Sequence, residues 1–297
     1  MKKICIVLIG FVVATAVCVS EAQAFQIGAG LYSYCNWRNT PTTGWESVQT
    51  DPVLQVGPML SLTVFRRFSV SASLITSDLI GVQSYGEAEY SNPVTDAATG
   101  NPVNIRFEDL LVSKGDFDIA LSYLVIPGLK LFLGFKRLEY QIQVEDSTCI
   151  VHDTVTGQTR SFTSNIGYIG RNEYDLYALG VSYSIPIVAG VYLMPNMSLL
   201  MGDGTKSHTD YGYNSSFTDF PLIDTDTEGK FKAYGTNLAL SLTYYFDSIN
   251  TTVALGGRYQ AIFTTYSSGE YSGTDESWEH TWGITLSAMA AVSFFEE

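Results

Sequence analysis

Apolar and polar positions alternate with period two along most of this chain. Leu238, Leu240, Leu242 and Tyr244 alternate with Ala239, Ser241 and Thr243. After Asp247-Ser248-Ile249-Asn250, the residues Val253, Leu255, Gly257, Tyr259, Ala261 and Phe263 alternate with Ala254, Gly256, Arg258, Gln260 and Ile262. Successive side chains of a strand point to opposite faces, so each arm has one apolar face and one mixed face. Asp, Ser and Asn between them favour a tight turn, which makes the pair a hairpin. The same pattern predicts strands over Phe25–Tyr34, Val53–Phe65, Phe68–Leu74, Asp116–Val125, Leu129–Lys136, Tyr177–Ile185, Val191–Leu199 and Trp278–Phe294. Within this set the phase slips near Arg137-Leu138, which reads as a bulge. Pro195 is awkward for a fully paired strand.

Tight turns near Arg66, Pro127, Pro186 and Ser248 recur roughly every 60 residues, each followed by a long polar loop. Segments at the turns resemble one another: ALSYLVIPGLKLFLG, GVSYSIPIVAGVYLM and SLTYYFDSINTTVALG. The long loops are read as Asn36–Pro52, Gly81–Asn104, Glu145–Asn172, Gly202–Gly229 and Ser267–Glu276. Beyond the first 24 residues no apolar run is long enough for a membrane helix. An apolar outer row can then meet lipid only on a closed barrel, because an open sheet edge leaves backbone groups unpaired in hydrocarbon. The expected fold is all-β: a ten-stranded antiparallel up-and-down transmembrane barrel, with eight or twelve strands if one segment is misread. A secreted β-sandwich is the soluble rival, and the regular alternation of short turns and long loops argues against it. Aromatics gather at both strand ends, with Phe68, Tyr123, Tyr244 and Phe294 by the turns and Tyr32, Tyr140, Tyr174, Tyr259, Trp278 and Trp282 toward the loops. Two such girdles suit headgroup depth.

Residues 1–24 read as an export signal: Lys2 and Lys3, an apolar stretch from Ile4 to Val19, and Ala22-Gln23-Ala24 before Phe25. Residues 25–297 form the barrel. The formal net charge is −14, which repels phosphate backbones and makes nucleic acid a poor partner. Of the four cysteines only Cys35 and Cys149 lie outside the leader, a candidate disulfide in an oxidising compartment.

The alternating last strand ends in Phe294-Phe295, and with the overall architecture it resembles the Gram-negative outer-membrane β-barrel superfamily. Glu296 and Glu297 depart from that pattern by following the terminal aromatic. The resemblance implies a bacterial outer-membrane location, insertion by the barrel-assembly machinery, and contact with outer-membrane lipid and lipopolysaccharide.

Asp116, Asp118, Lys130, Lys136 and Arg258 fall on inward positions. They form either a charged constriction of a narrow channel or a salt-bridged plug; a small barrel leaves little bore, which favours the plug. Asp224, Asp226 and Glu228, followed by Gly229 and Phe231, resemble half of a calcium loop. The closing glutamate position is Gly235, so a solvated acidic loop is the better reading and calcium the alternative. His152, His208 and His280 are the histidines a rim hydrolase would need. His208-Thr209-Asp210 resembles the Asp/His pair of the omptin proteases with the order reversed, and no second carboxylate pair accompanies it. The sequence therefore favours a non-enzymatic barrel, structural or a narrow porin-like channel, over a surface-recognition protein or a hydrolase.

Overall fold

The computed structural model describes residues 25–42, 45–50, 52–64, 67–80, 84–90, 94–144, 147–163, 167–211, 225–269 and 276–294. The export-signal reading falls outside them. Ten strands form the wall: β1 (Phe25–Thr42), β2 (Val53–Val64), β3 (Phe68–Thr76), β4 (Pro102–Ile126), β5 (Leu129–Gln143), β6 (Gly167–Tyr183), β7 (Val191–Tyr211), β8 (Thr225–Phe246), β9 (Thr251–Gly269) and β10 (Ser277–Phe294). Each pairs antiparallel with its chain neighbours, and β1 closes on β10 from Phe25↔Phe294 to Asn39↔His280. Closure leaves no edge along the wall, as lipid requires. The expected barrel and its ten strands are present.

The outer face carries a belt of exposed apolar side chains, among them Leu31, Leu60, Leu133, Leu179, Leu240, Leu255 and Ile284. Below it, Phe25 stacks on Phe294 with ring centroids 4.5 Å apart, and Phe68 meets Tyr123 at 4.8 Å. Above it, Phe135 meets Tyr177 at 5.8 Å and Phe263 meets Trp278 at 5.1 Å. Tyr140 and Tyr174, expected in this upper girdle, instead face inward and are buried, as even-numbered positions on β5 and β6. Tyr32 likewise lines the lumen.

A tilted strand crosses hydrocarbon in about 9–11 residues. Here β4 has 25 residues, β7 21 and β8 22, so the wall continues well beyond the belt. The long loops expected from the sequence are correspondingly shorter: β7 runs to Tyr211, and β8 starts at Thr225. Outside the bilayer the polarity of the two faces exchanges. On β5 the outward row changes from Leu131, Leu133 and Phe135 to Arg137, Glu139 and Gln141, while the inward row changes from Gly134 and Lys136 to Leu138, Tyr140 and Ile142. The register with β4 and β6 runs unbroken through this point. The bulge expected near Arg137 is therefore absent; the apparent slip is a change of surrounding medium.

A real bulge lies on β4, where Asp109 has φ 61° and the register with the Ser84–Tyr90 strand shifts. It brings Phe107, Ile105 and Val103 onto the same buried face as Leu110 and Val112. Short strands Trp45–Thr50, Ser84–Tyr90, Thr148–Asp153 and Thr159–Thr163 extend β1 and β4 into a folded head at the loop-bearing end. Pro195 is accommodated because pairing with the preceding strands lapses between Ser182↔Asn196 and Ile185↔Leu193.

Leu255→Arg, at the belt on β9, is expected to cost ~2–4 kcal/mol in lipid, against about 1 kcal/mol or less for Thr265→Arg higher on the same strand. Urea titration of protein folded into vesicles measures both.

Candidate functional site

The even positions of β1 continue inward past Tyr34 to Asn36 and Arg38, and all three are buried. With β4, β5, β9 and β10 they build two polar layers across the bore. In the lower layer Lys136 pairs with Asp116 and, at 2.8 Å, with Asp118. Arg258 reaches from β9 to Asp116 on the opposite wall at 3.4 Å, and donates to Asn237 at 2.7 Å and Gln260 at 3.0 Å. Lys114 donates to Asn36 Oδ1 at 3.0 Å, and Asn36 donates to Gln55 at 3.0 Å. The Tyr34 ring lies beside both cations, 5.3 Å from the Arg258 guanidinium and 5.6 Å from the Lys114 ammonium.

In the upper layer Arg38 pairs with Glu279 of β10, and the Tyr174 hydroxyl of β6 donates to that carboxylate at 2.6 Å. The Arg38 guanidinium lies over the Tyr140 ring of β5, 3.3 Å from its centroid. Charges this deeply buried persist only when paired and hydrogen-bonded. Apolar side chains fill the space around and above the layers: Leu138, Leu176, Leu200, Phe231 and Ile262 on one side, Val53, Phe107, Val112 and Ile142 on the other. Beneath the lower layer a cavity of about 310 Å³ opens between Tyr32, Phe132, Ser182, Ser241 and Ser287. Asp118 is its exposed charge, 37% accessible where Asp116 is 1%.

Four of the five expected lumen charges thus come together. Lys130 does not: it stands exposed near the turn end, apart from the network. The sequence reading missed Asn36, Arg38, Lys114, Tyr140, Tyr174 and Glu279. Their signal was the unbroken parity of each strand, hidden because β1 and β6 were taken to stop at the belt.

The remaining candidates separate. Cys35 and Cys149 are free: Cys35 pairs with Leu54 and Ile284 in the wall, whereas Cys149 is buried in the head core beside Phe107. Burial pushes the Cys149 thiol up to about 12, so it is inert as a nucleophile. Asp224 lies outside the described residues, as do the side chains of Asp226, His208 and Asp210. Glu228 is exposed on extended β8 opposite Ser207, and Gly229 pairs within the strand instead of turning it. Among the described residues no cluster of metal-ligating side chains occurs. His152 Nδ1 contacts Thr159 Oγ1 at 3.0 Å on the head. His280 faces outward, stacked on Trp278, with Nδ1 2.8 Å from the Tyr259 hydroxyl.

Two head carboxylates are structural. Asp153 accepts from Asn101 at 2.9 Å and from the N–H groups of Thr156 and Val155 at 2.8 Å, which hold it at about 2. Burial opposes ionisation of Asp96, yet hydrogen bonds from Ala98, Thr99 and Arg160 keep it below the usual carboxylate range.

No family model matches the chain, and no curated protein matches it. Among solved structures it is similar to the outer membrane protease OmpT of Escherichia coli, at 13% identity and TM-score 0.57 over 92% of this chain and 98% of that one. Looser likenesses are to the P. putida toluene transporter TodX (11% identity, TM-score 0.26, 96% and 93% covered) and to OprG of Pseudomonas aeruginosa (7%, 0.28, 93% and 98%). The fold is that of the Gram-negative outer-membrane β-barrels. Closed wall, apolar belt and girdles make this an integral barrel protein of the bacterial outer membrane.

Glu279→Ala leaves Arg38 buried without its carboxylate and is expected to cost ~3–5 kcal/mol, most of it recovered by Arg38→Met with Glu279→Met; denaturant unfolding of the wild type and both variants checks this. For Asp153 the folded value lies below the ordinary one, so its contribution is complete above the ordinary aspartate range and lost as pH falls toward about 2. Hydrogen exchange of residues 147–163 should lose protection over that window in the wild type, and Asp153→Asn should flatten the profile.

Proposed function

We propose that this protein is a plugged, non-conducting barrel that presents a folded head outside the membrane and acts by surface recognition. The observation that carries the reading is the pair of cross-bore contacts, Arg258 to Asp116 and Arg38 over Tyr140 with Tyr174 on Glu279. Each contact joins strands on facing walls. A hydrated ion crossing the bore would have to break buried pairs and then enter an apolar layer, and both steps are unfavourable. Among the described residues the cavity beside Asp118 is lined by Lys136 and Arg258, members of the paired lower layer, which supports the plug over the narrow channel.

Lipid contacts complete the proposal. Just above the belt, Arg137 pairs with Glu173 at 2.6 Å and Arg171 with Glu139, leaving both guanidinium groups about 40% exposed at the level of outer-leaflet headgroups. Lipopolysaccharide phosphates are the anions these arginines would meet there. We propose likewise that the barrel-assembly machinery inserts the chain, a reading the closed antiparallel wall supports.

Purified protein in planar bilayers should give no unitary current steps from pH 5 to 8, with intact folding checked by circular dichroism. Reproducible steps that vanish on removal of the protein would overturn the plug.

A further inference from the structure

Below the lower charged layer the bore widens into a recess of about 310 Å³. It opens at the end of the short turns, which outer-membrane barrels direct to the periplasm. Its volume lies at the low end of the range for ligand pockets, so a ligand there would be small. Inward Ala178 and Ala239 keep it open, whereas Leu176 and Phe231 fill the bore higher on the same strands.

Three kinds of surface line the recess. At its inner end both Asp118 oxygens accept from Lys136 Nζ at 2.8 Å, which leaves each a further lone pair. The Asp118 side chain is 37% accessible, against 4% for Lys136 and 8% for Arg258. An incoming molecule therefore meets the carboxylate and not the cations. Along the walls Ser182, Ser241, Thr285 and Ser287 bring hydroxyls and Asn196 an amide, groups that both donate and accept. Phe132 supplies the third surface. Its ring lies against Gly180, where any Cβ would collide with it, so the ring covers the wall instead of filling the bore.

We propose that this recess binds a neutral, polyhydroxylated molecule of monosaccharide size from the periplasmic side. At the inner end the Asp116 and Asp118 carboxylates are balanced by Lys136 and Arg258. An ion would bring a charge this group cannot match and would lose hydration on entry. Lys130 does not alter that balance: it stands exposed at the mouth, six residues along β5 from Lys136 and so roughly 20 Å away. A polyol has no charge to desolvate. Its hydroxyls donate to Asp118, a charge-assisted bond about twice as strong as a neutral one, and exchange hydrogen bonds with the serines and Asn196. The C–H face of a sugar ring covers Phe132 and leaves water with it. The proposal concerns the recess alone and holds whether or not the bore above it conducts.

The test is saturation-transfer difference NMR of the full chain folded in an amine-oxide detergent, which carries no sugar headgroup to compete. The probes are glucose, galactose and mannose, beside ethanolamine, acetate and glycine at equal concentration. At least one hexose should give a saturable signal. Asp118→Asn should raise its Kd about tenfold (roughly 1.4 kcal/mol), with Lys136 still paired to Asp116. Ala254→Phe, which fills the recess, should abolish the signal, and Leu133→Phe on the outer face should leave it unchanged. Circular dichroism and heat-modifiable gel mobility establish that each variant folds. No saturable hexose signal, a signal unaltered by Asp118→Asn or Ala254→Phe, or tighter binding of a charged or zwitterionic probe would each overturn the assignment.

Discussion

Backbone hydrogen bonding in a medium without water governs this structure. Every N–H and C=O at membrane depth must find a partner within the wall, and a sheet can supply that only by closing. The pairing of β1 with β10 from Phe25↔Phe294 upward is therefore the contact on which the rest depends. Once it forms, each strand has a lipid face and an enclosed face, and side chains are sorted by parity.

Closure also confines what the bore can contain. Ten strands surround a space narrow enough that Arg258 spans from β9 to Asp116 on β4, and Arg38 from β1 to the ring of Tyr140 on β5. Small inward residues such as Ser182, Ser241 and Ser287 keep the turn end open. The larger inward residues of the loop end, Leu138, Tyr174, Phe231 and Ile262, pack as an ordinary apolar core. The barrel is thus two environments joined end to end: a membrane protein with a polar interior below, and a water-facing sheet protein with an apolar interior above.

Extension beyond the bilayer has a functional consequence. Strands that end at the headgroups leave only loops outside, whereas β4, β7 and β8 carry paired backbone outward and support a head with its own core. Asp96 and Asp153 fix its turns through several hydrogen bonds each, which gives the exposed end a defined shape. That defined surface is the physical basis of the recognition role proposed above.

The sequence by itself determined the strand class, the ten segments, the belt and the location, because period-two alternation with apolar residues on one parity encodes a wall facing lipid. It also placed Asp116, Asp118, Lys136 and Arg258 on one interior. Parity states which residues share a face; it does not state what medium that face meets. For that reason the polarity exchange at Arg137–Leu138 looked like a slip, the strands seemed to end at the belt, and Arg38, Glu279 and Tyr174 went unrecognised. Which inward side chains touch across the bore depends on barrel radius and stagger, set by the register of all ten strands at once. Those are properties of the closed sheet, and only the tertiary structure fixes them.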